Sequence, residues 1–186
     1  TIRFTTNTRR RTHSFNCQVL AVSASSCGKF VCTVSKDKTC RVWDVSTGDC
    51  RGVGIGHTDS VGSVCMSRRE LTTDSEAWVV TGSSDKTIKL WDLRPVVKSS
   101  GSKRLTALAN QMAHSKDIND LAVSPDSRLI ASASQDKTIK LWNVKISNKS
   151  NVLSMFRTLK GHKRGVWSVS FSNVDKCLVS GSADRT

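Results

Sequence analysis

The tripeptide Asp-Lys-Thr recurs along this 186-residue chain at a nearly fixed interval. It occupies 37–39, 85–87 and 136–138, and the variant Asp-Arg-Thr occupies 184–186, which places the four aspartates 48, 51 and 48 residues apart. A tryptophan follows each of the first three aspartates by six residues, and the four histidines fall one to each repeat. Self-similarity at this period is typical of repeat architectures and constrains the fold more than composition does.

Each repeat has the pattern of several short β-strands. The units are rich in Val, Ile, Ser and Thr with period-two alternation, and Ser-Thr-Gly-Asp at 46–49 and Ser-Pro-Asp at 124–126 mark turns. No segment has the pattern of a long amphipathic helix. A unit of about four strands cannot bury both faces of its sheet alone, so such units must stack. The sequence therefore predicts an all-β fold, a β-propeller built from stacked blades.

Short motifs in these units resemble those of a known family. Gly-His at 56–57 and 161–162, Ala-His at 113–114, and Trp-Asp at 43–44 and 91–92 resemble WD repeats over nearly the whole chain. The resemblance implies a hydrogen-bonded tetrad of His, Ser or Thr, Asp and Trp in each blade. The residues that it assigns to the tetrads are His13, Thr33, Asp37 and Trp43; His57, Thr81, Asp85 and Trp91; His114, Ser132, Asp136 and Trp142; and His162, Ser180 and Asp184.

The same resemblance divides the chain into units. We expect 1–12 to be the end of a preceding blade or a linker, followed by blades at 13–56, 57–113 and 114–161 and a truncated blade at 162–186. The second blade carries a basic insert at 94–112, which is expected to be a flexible outward loop. Thr12 stands where the family usually has Gly, so the first tetrad departs from the pattern. Because propellers usually have more blades than this, the chain is expected to be a fragment of a larger ring.

The residue types of a hydrolase triad are present in His114, Ser132 and Asp136. The same combination recurs in the next repeat, however, and an active site is seldom copied once per repeat, whereas a structural tetrad must be. Nucleophile-elbow, phosphate-loop and dinucleotide-binding motifs are absent from the sequence. The seven cysteines lack zinc-site spacing and are expected to be mostly buried, reduced thiols. We therefore predict a protein that is not an enzyme and that needs no metal and no cofactor.

The net charge of +14 is unevenly distributed. Acidic residues are absent before Asp37 and between Asp136 and Asp175, whereas both segments are rich in Lys and Arg. Such one-sign clusters favour salt-sensitive contacts with nucleic-acid backbones. The chain has no Tyr, and Trp167 is expected to pack between blades rather than to stack on a base. The residues predicted to contact a partner or RNA are Lys36, Asp59, Arg94, Lys98, Lys103, Arg104, Lys116, Lys163 and Arg164.

Three longer strings, at 53–62, 113–119 and 159–167, are more specific than the generic motif. In this order they resemble a nucleolar branch of the WD-repeat family whose members are subunits of the small-subunit processome. The resemblance implies a scaffold in the nucleus and nucleolus that binds other processome proteins. It also implies contacts with the phosphate backbone of pre-ribosomal RNA or small nucleolar RNA. No apolar run approaches the length of a transmembrane helix, so no membrane association is expected.

Two alternative functions remain open at this point. Trp-Asp-Leu-Arg at 91–94 matches the Trp-Asp-x-Arg pattern of substrate receptors for cullin–RING ubiquitin ligases, in which Arg94 would dock on an adaptor. A generic WD-repeat signalling scaffold is the other.

Overall fold

A computed structural model describes residues 17–69, 77–98, 101–146 and 151–186 of the chain. These residues form four sheets. Blade 1 contains β1 (Val19–Ala24), β2 (Phe30–Ser35), β3 (Thr39–Asp44) and β4 (Cys50–Ile55). Blade 2 contains β5 (Val61–Met66), β6 (Trp78–Ser83), β7 (Thr87–Asp92) and β9 (Ala107–Met112), with α1 (Arg94–Lys98) and β8 (Lys103–Arg104) inserted before β9. Blade 3 contains β10 (Ile118–Val123), β11 (Leu129–Ser134), β12 (Ile139–Ile146) and β13 (Asn151–Leu159), and blade 4 contains β14 (Val166–Phe171) and β15 (Leu178–Ser182).

The strands of each blade follow one another as an antiparallel meander. The first strand of every blade carries an irregularity at the same register position, for example between Val61 and Ser63 where β5 pairs with β6. Successive blades contact each other through these first strands. The prediction of an all-β, bladed propeller is confirmed, and the described blades form part of a ring.

Apolar layers between neighbouring sheets form the core. Cys32, Val34 and Val42 of blade 1 pack against Val61 and other buried residues of blade 2. A second layer joins blades 2 and 3, and a third, built partly from alanines of β10 and β11, joins blades 3 and 4. Fully burying one Val or Leu side chain contributes about 1.5–3 kcal/mol. Stacking therefore supplies the stability that a single four-stranded sheet lacks.

The face of blade 4 that points away from blade 3 is not covered by any described residue. Trp167 is 54% exposed and Val179 is 65% exposed on this sheet. A Cβ added at Gly82 of blade 2 would lie 2.7 Å from Ile118 of the next blade, whereas one added at the corresponding Gly181 would meet nothing within 4 Å. Trp167 therefore packs against no other described blade, and the expectation that it packs between blades stays a prediction.

The expectation that 94–112 forms a flexible outward loop is wrong. Residues 94–98 form α1, and β8 adds to blade 1 by pairing in parallel with β4. The side chains of Val96 and Leu105 are buried against the layer between blades 1 and 2. Residues 107–112 are not insert at all, since they form β9, the fourth strand of blade 2. Burying these two apolar side chains favours a packed segment over a mobile one.

The cysteines divide into two groups. Cys32, Cys40 and Cys50 are buried and Cys65 is half-buried, and burial raises the pKa of the Cys50 and Cys65 thiols. Cys17, Cys27 and Cys177 are exposed, so the expectation of buried thiols is wrong for these three. In the part of the chain that the structure describes, no helix is long and apolar enough to cross a bilayer.

Candidate functional site

In blades 1, 2 and 3 the repeated Asp-Lys-Thr tripeptide folds as a tight turn between the second and third strands, and Asp-Arg-Thr at 184–186 forms the same turn after β15. In blade 2 the Asp85 carboxylate accepts a hydrogen bond from the Thr87 backbone N–H at 2.9 Å and another from the Thr87 hydroxyl at 2.6 Å. Such a turn is typical of Asp, whose short side chain bonds the backbone two residues further on. The middle residue adopts a left-handed backbone with φ near 70°, and it is Lys38, Lys86, Lys137 or Arg185.

The tetrad of blade 2 is a continuous chain of hydrogen bonds. The indole N–H of Trp91 donates to the Thr81 hydroxyl oxygen at 2.9 Å. The Thr81 oxygen lies 2.8 Å from His57 Nε2, and His57 Nδ1 lies 2.8 Å from an oxygen of Asp85. Loop 56–60 supplies the histidine, β6 the threonine and β7 the tryptophan, so the tetrad links the entry of the blade to its second and third strands.

These contacts assign the protons of the tetrad. A neutral imidazole with its proton on Nδ1 donates to Asp85 and accepts the Thr81 hydroxyl proton at Nε2. Burial lowers the pKa of His57, and the hydrogen bond to Asp85 opposes that shift. Burial would raise the pKa of Asp85, but hydrogen bonds from Thr87, Thr58 and His57 outweigh it and lower the pKa to about 2. The tetrad therefore holds a neutral histidine beside an ionised aspartate at pH 7.

Blade 3 repeats this arrangement in full. In blade 3 the Trp142 N–H donates to Ser132 at 2.9 Å, Ser132 lies 2.7 Å from His114 Nε2, and His114 Nδ1 lies 2.9 Å from Asp136. Burial again lowers the pKa of His114.

In blade 4 the described part of the tetrad consists of His162, Ser180 and Asp184. His162 lies 2.9 Å from Ser180 and 3.1 Å from Asp184. His162 is only partly buried, whereas His57 and His114 are buried.

In blade 1 the structure describes the tryptophan, the threonine and the aspartate of the tetrad. The Trp43 N–H donates to Thr33 at 2.8 Å. The Asp37 carboxylate forms the same turn as in the other blades and also pairs with the Arg41 guanidinium at 3.2 Å. His13 and the segment 1–12 lie outside the described residues, as do 70–76.

Two further residues belong to each tetrad site, and neither was predicted from the sequence to be part of it. The threonine two positions after each aspartate donates its hydroxyl proton to that carboxylate at 2.5–2.6 Å. The serine two positions before the aspartate caps the turn by accepting the aspartate N–H, and in blades 2, 3 and 4 it donates to the loop that carries the histidine. The available signal was their spacing, because the serines at 35, 83, 134 and 182 repeat at the same 48, 51 and 48 residues as the aspartates.

The chemistry of these sites favours a structural role. The Ser132 side chain is fully buried, and its hydroxyl is already engaged by His114 and by the Trp142 N–H. A nucleophile must reach its substrate, and this fully buried hydroxyl is not accessible to one. Each buried polar group left without a partner would cost about 1–3 kcal/mol, so the tetrads stabilise the blades by satisfying four such groups together.

The histidine loops and the aspartate turns lie at one end of the blades, here called the tetrad end. Five of the nine predicted contact residues lie there. Lys36 is in the turn of blade 1, while Asp59, Lys116, Lys163 and Arg164 are in the histidine loops of blades 2, 3 and 4. All five are exposed.

The other four predicted contact residues are in the inserted segment, away from the tetrad end. Lys98, Lys103 and Arg104 are exposed on α1 and β8. Arg94 forms a paired contact with Asp92, with Nε 2.9 Å from one carboxylate oxygen and Nη2 2.8 Å from the other. Docking of Arg94 on an adaptor would have to break this two-bond pair. The structure thus does not bring the nine residues onto one surface.

Comparison with known proteins agrees with this architecture. The family model "WD domain, G-beta repeat" matches residues 6–44, 48–92, 105–143 and 153–186. Transducin beta-like protein 3 of Mus musculus is 38% identical over 162 residues, which is 82% of this chain and 19% of that protein. The human protein of that name is 38% identical over 160 residues, or 81% of this chain and 18% of the relative. U3 small nucleolar RNA-associated protein 13 of Saccharomyces cerevisiae is 34% identical over 155 residues, again 81% of this chain and 18% of the relative.

The chain spans less than a fifth of the length of these curated relatives. The family matches, in contrast, cover most of the chain and coincide with the repeated tetrads and the stacked four-stranded sheets. The chain belongs to the WD-repeat family and is related to transducin beta-like protein 3.

Proposed function

We propose that this chain is part of a non-catalytic scaffold subunit of the nucleolar small-subunit processome, which supports pre-ribosomal RNA processing and small-subunit biogenesis. The relationship to transducin beta-like protein 3 and to a yeast protein named for its association with U3 small nucleolar RNA supports this assignment. The engaged, buried tetrads support a scaffold rather than an enzyme. The proposed location is the nucleolus, and the proposed partners are other processome proteins and the RNA backbone.

The observation that carries the RNA part of the proposal is the charge of the tetrad end. Its exposed side chains include eight basic residues, against two acidic ones, Asp59 and Asp117. The basic residues are Lys36, Lys38, Lys86, Lys116, Lys137, Lys163, Arg164 and Arg185. The tetrad carboxylates also lie at this end, but they are engaged by hydrogen bonds within their own blades. The side chains available to a partner are therefore mainly cations, which suit phosphates.

The left-handed turn positions give this surface a distinctive feature. A non-glycine residue with φ near 70° costs about 1–2 kcal/mol relative to an ordinary backbone, and glycine would avoid that cost. All four turns nevertheless carry Lys or Arg at this position, and all four side chains are exposed. A role for the charge explains why a basic residue occupies each strained position.

The test is a salt titration of RNA binding by the full-length protein and by two charge variants. The first replaces Lys38, Lys86, Lys137 and Arg185 by Gly, which removes four charges without backbone strain. The control replaces Lys29, Arg128, Lys145 and Lys176 by Ala, which removes four exposed charges away from the tetrad end. A single-stranded RNA contact contributes about 0.7 to the log–log salt slope, so the first variant should lower the slope by about 3 and the control should leave it unchanged.

A flat affinity between low and physiological salt, or equal losses in both variants, would contradict the phosphate contacts.

The assembly part of the proposal is tested separately by affinity purification of the tagged full-length protein, with sequencing of bound RNA. Recovery of processome proteins with pre-ribosomal RNA is expected. Recovery of a cullin adaptor without that RNA, lost on Arg94→Ala, would replace the scaffold with the ligase-receptor function.

A further inference from the structure

The outer edge of blade 1 shows how this chain can extend a blade by one strand. Strand β8 pairs in parallel with β4, with Lys103 opposite Gly52 and Arg104 opposite Val53. The Leu105 N–H then donates to the Val53 carbonyl at 2.9 Å. The added segment is held by backbone hydrogen bonds and by apolar side chains that pack on the strand beneath, because Leu105 and Val96 occupy the space beside Gly52.

The corresponding edge of blade 3 has no such cover. Strand β13 (Asn151–Leu159) is the last strand of its sheet, and no described residue pairs with its outer edge. At nine residues it is the longest described strand, and unpaired backbone groups along a long edge are a template for another strand. This edge is therefore the strongest candidate for strand addition among the described blades.

An exposed apolar pair marks the middle of this edge. Trp142 is opposite Met155 and Leu141 is opposite Arg157, so Phe156 is the extra residue of a β-bulge. Met155 and Phe156 are each 57% exposed. The extra residues at the corresponding bulges of blades 1 and 2 already have partners within the protein, since Arg51 pairs with Asp44 and Leu108 packs against the core. Only β13, of the three described fourth strands, presents an exposed aromatic side chain at its bulge.

The positive charge around β13 indicates what kind of segment binds to this edge. Lys145, Arg157 and Lys160 are exposed beside this edge, and no acidic residue occurs between Asp136 and Asp175. A second copy of the chain would bring two basic edges together. Residues 1–16 of the same chain contain four arginines and no acid, so they would also be repelled. Charge complementarity thus favours a different protein with acidic residues.

We propose that the outer edge of β13 binds an extended, aliphatic and acidic segment of a partner protein as an additional strand. Backbone hydrogen bonds along the edge would hold the segment, its aliphatic side chains would cover Met155 and Phe156, and its carboxylates would pair with Arg157 and the neighbouring lysines. This inference is independent of the proposed RNA contacts, because β13 forms the outer edge of blade 3 and the basic turns lie at the tetrad end.

The test uses fluorescent peptides and the full-length protein. The probe is Glu-Asp-Val-Leu-Val-Leu-Asp-Glu, and it is compared with a peptide that keeps its aliphatic residues but has Lys at the four acidic positions. A third peptide has the acidic sequence with N-methyl groups on alternate amides, which removes the backbone donors on one edge. Saturable binding of the first peptide is expected, with at least tenfold weaker binding of the other two.

Two variants locate the site. Phe156→Ser removes the apolar contact without adding a charge and should weaken binding of the acidic probe at least tenfold. Val174→Ser makes a matched apolar-to-polar change at a residue that is 92% exposed in the turn before β15, and it should leave the affinity unchanged. Equal binding of the N-methylated probe would overturn strand addition, and equal binding of the lysine probe would overturn the acidic partner.

Other occupants give distinct results. Concentration-dependent dimers that Phe156→Ser abolishes would replace the partner with a second copy. Hydrogen exchange of the free full-length protein supplies a further check, because an open edge exchanges faster than the strand beneath it. If the β13 amides are as protected as those of β12 before any peptide is added, another part of the same protein already occupies the edge and the proposal is wrong.

Discussion

The substitution Thr81→Val tests whether the tetrad stabilises its blade. Thr81 is fully buried in β6, where its hydroxyl accepts the Trp91 indole N–H and donates to His57 Nε2. Valine has nearly the same shape, so the change creates no cavity but leaves two buried polar groups without a partner. The loss is therefore a measure of hydrogen bonding rather than of packing.

The expected magnitude follows from the burial of those two groups. Trp91 is 2% exposed and His57 is 7% exposed, so water cannot replace the lost partner. Each unsatisfied group costs about 1–3 kcal/mol, and removing the need to bury a hydroxyl returns part of that cost, which leaves a net loss of about 2–4 kcal/mol. Local opening of blade 2 should then become about 30- to 1,000-fold more frequent.

The assay is hydrogen exchange of the full-length protein, read from peptides that cover β6 and β7, because a blade can open without global unfolding. Thr106→Val makes the same chemical change at an exposed residue and should leave exchange unchanged. In a Trp91→Phe background Thr81→Val should cost at least about 1 kcal/mol less, since one of its partners is already gone. A loss below about 0.5 kcal/mol in Thr81→Val would refute the reasoning.

Two further predictions concern acid and close packing. Burial lowers the pKa of His57 and His114, so the unfolded state binds more protons than the folded state just below the ordinary histidine pKa of about 6.5. The free energy needed to open blades 2 and 3 is therefore expected to be highest above pH 6.5 and to fall as the pH decreases below that value. The measurement is hydrogen exchange at pH 7.5 and 5.5, corrected for intrinsic exchange rates. Equal opening free energies at the two pH values would contradict this prediction. Gly82→Ala should destabilise the contact between blades 2 and 3 by about 1–3 kcal/mol, because its Cβ would lie 2.5 Å from Ser63 and 2.7 Å from Ile118. The control Gly62→Ala, whose nearest contact is 3.6 Å, should be close to neutral in the same urea titration, and similar losses in both variants would argue against overpacking.

The sequence by itself determined the repeat, the strands and the turns. An aspartate, a threonine two residues later and a tryptophan six residues later are local relationships, and the Asx turn and the third strand follow from them in blades 1, 2 and 3. The tetrad partners lie further apart in sequence. Although His57 precedes Asp85 by 28 residues and His114 precedes Asp136 by 22, each pair lies within 2.9 Å, because both partners occupy equivalent places in their blades. A pattern repeated at one period places its residues equivalently in each unit.

Only the tertiary structure decided which residues share a surface. The composition of 94–112 is that of a loop, yet pairing with β4 and burial of Val96 and Leu105 order much of this segment. Arg94 is held by Asp92, and the basic residues divide between the tetrad end and the outer strands. The exposed pair at Met155 and Phe156 likewise depends on the bulge and on the absence of a described neighbour at that edge. These features arise from contacts between segments distant in sequence, and local periodicity carries no information about which edge another segment covers.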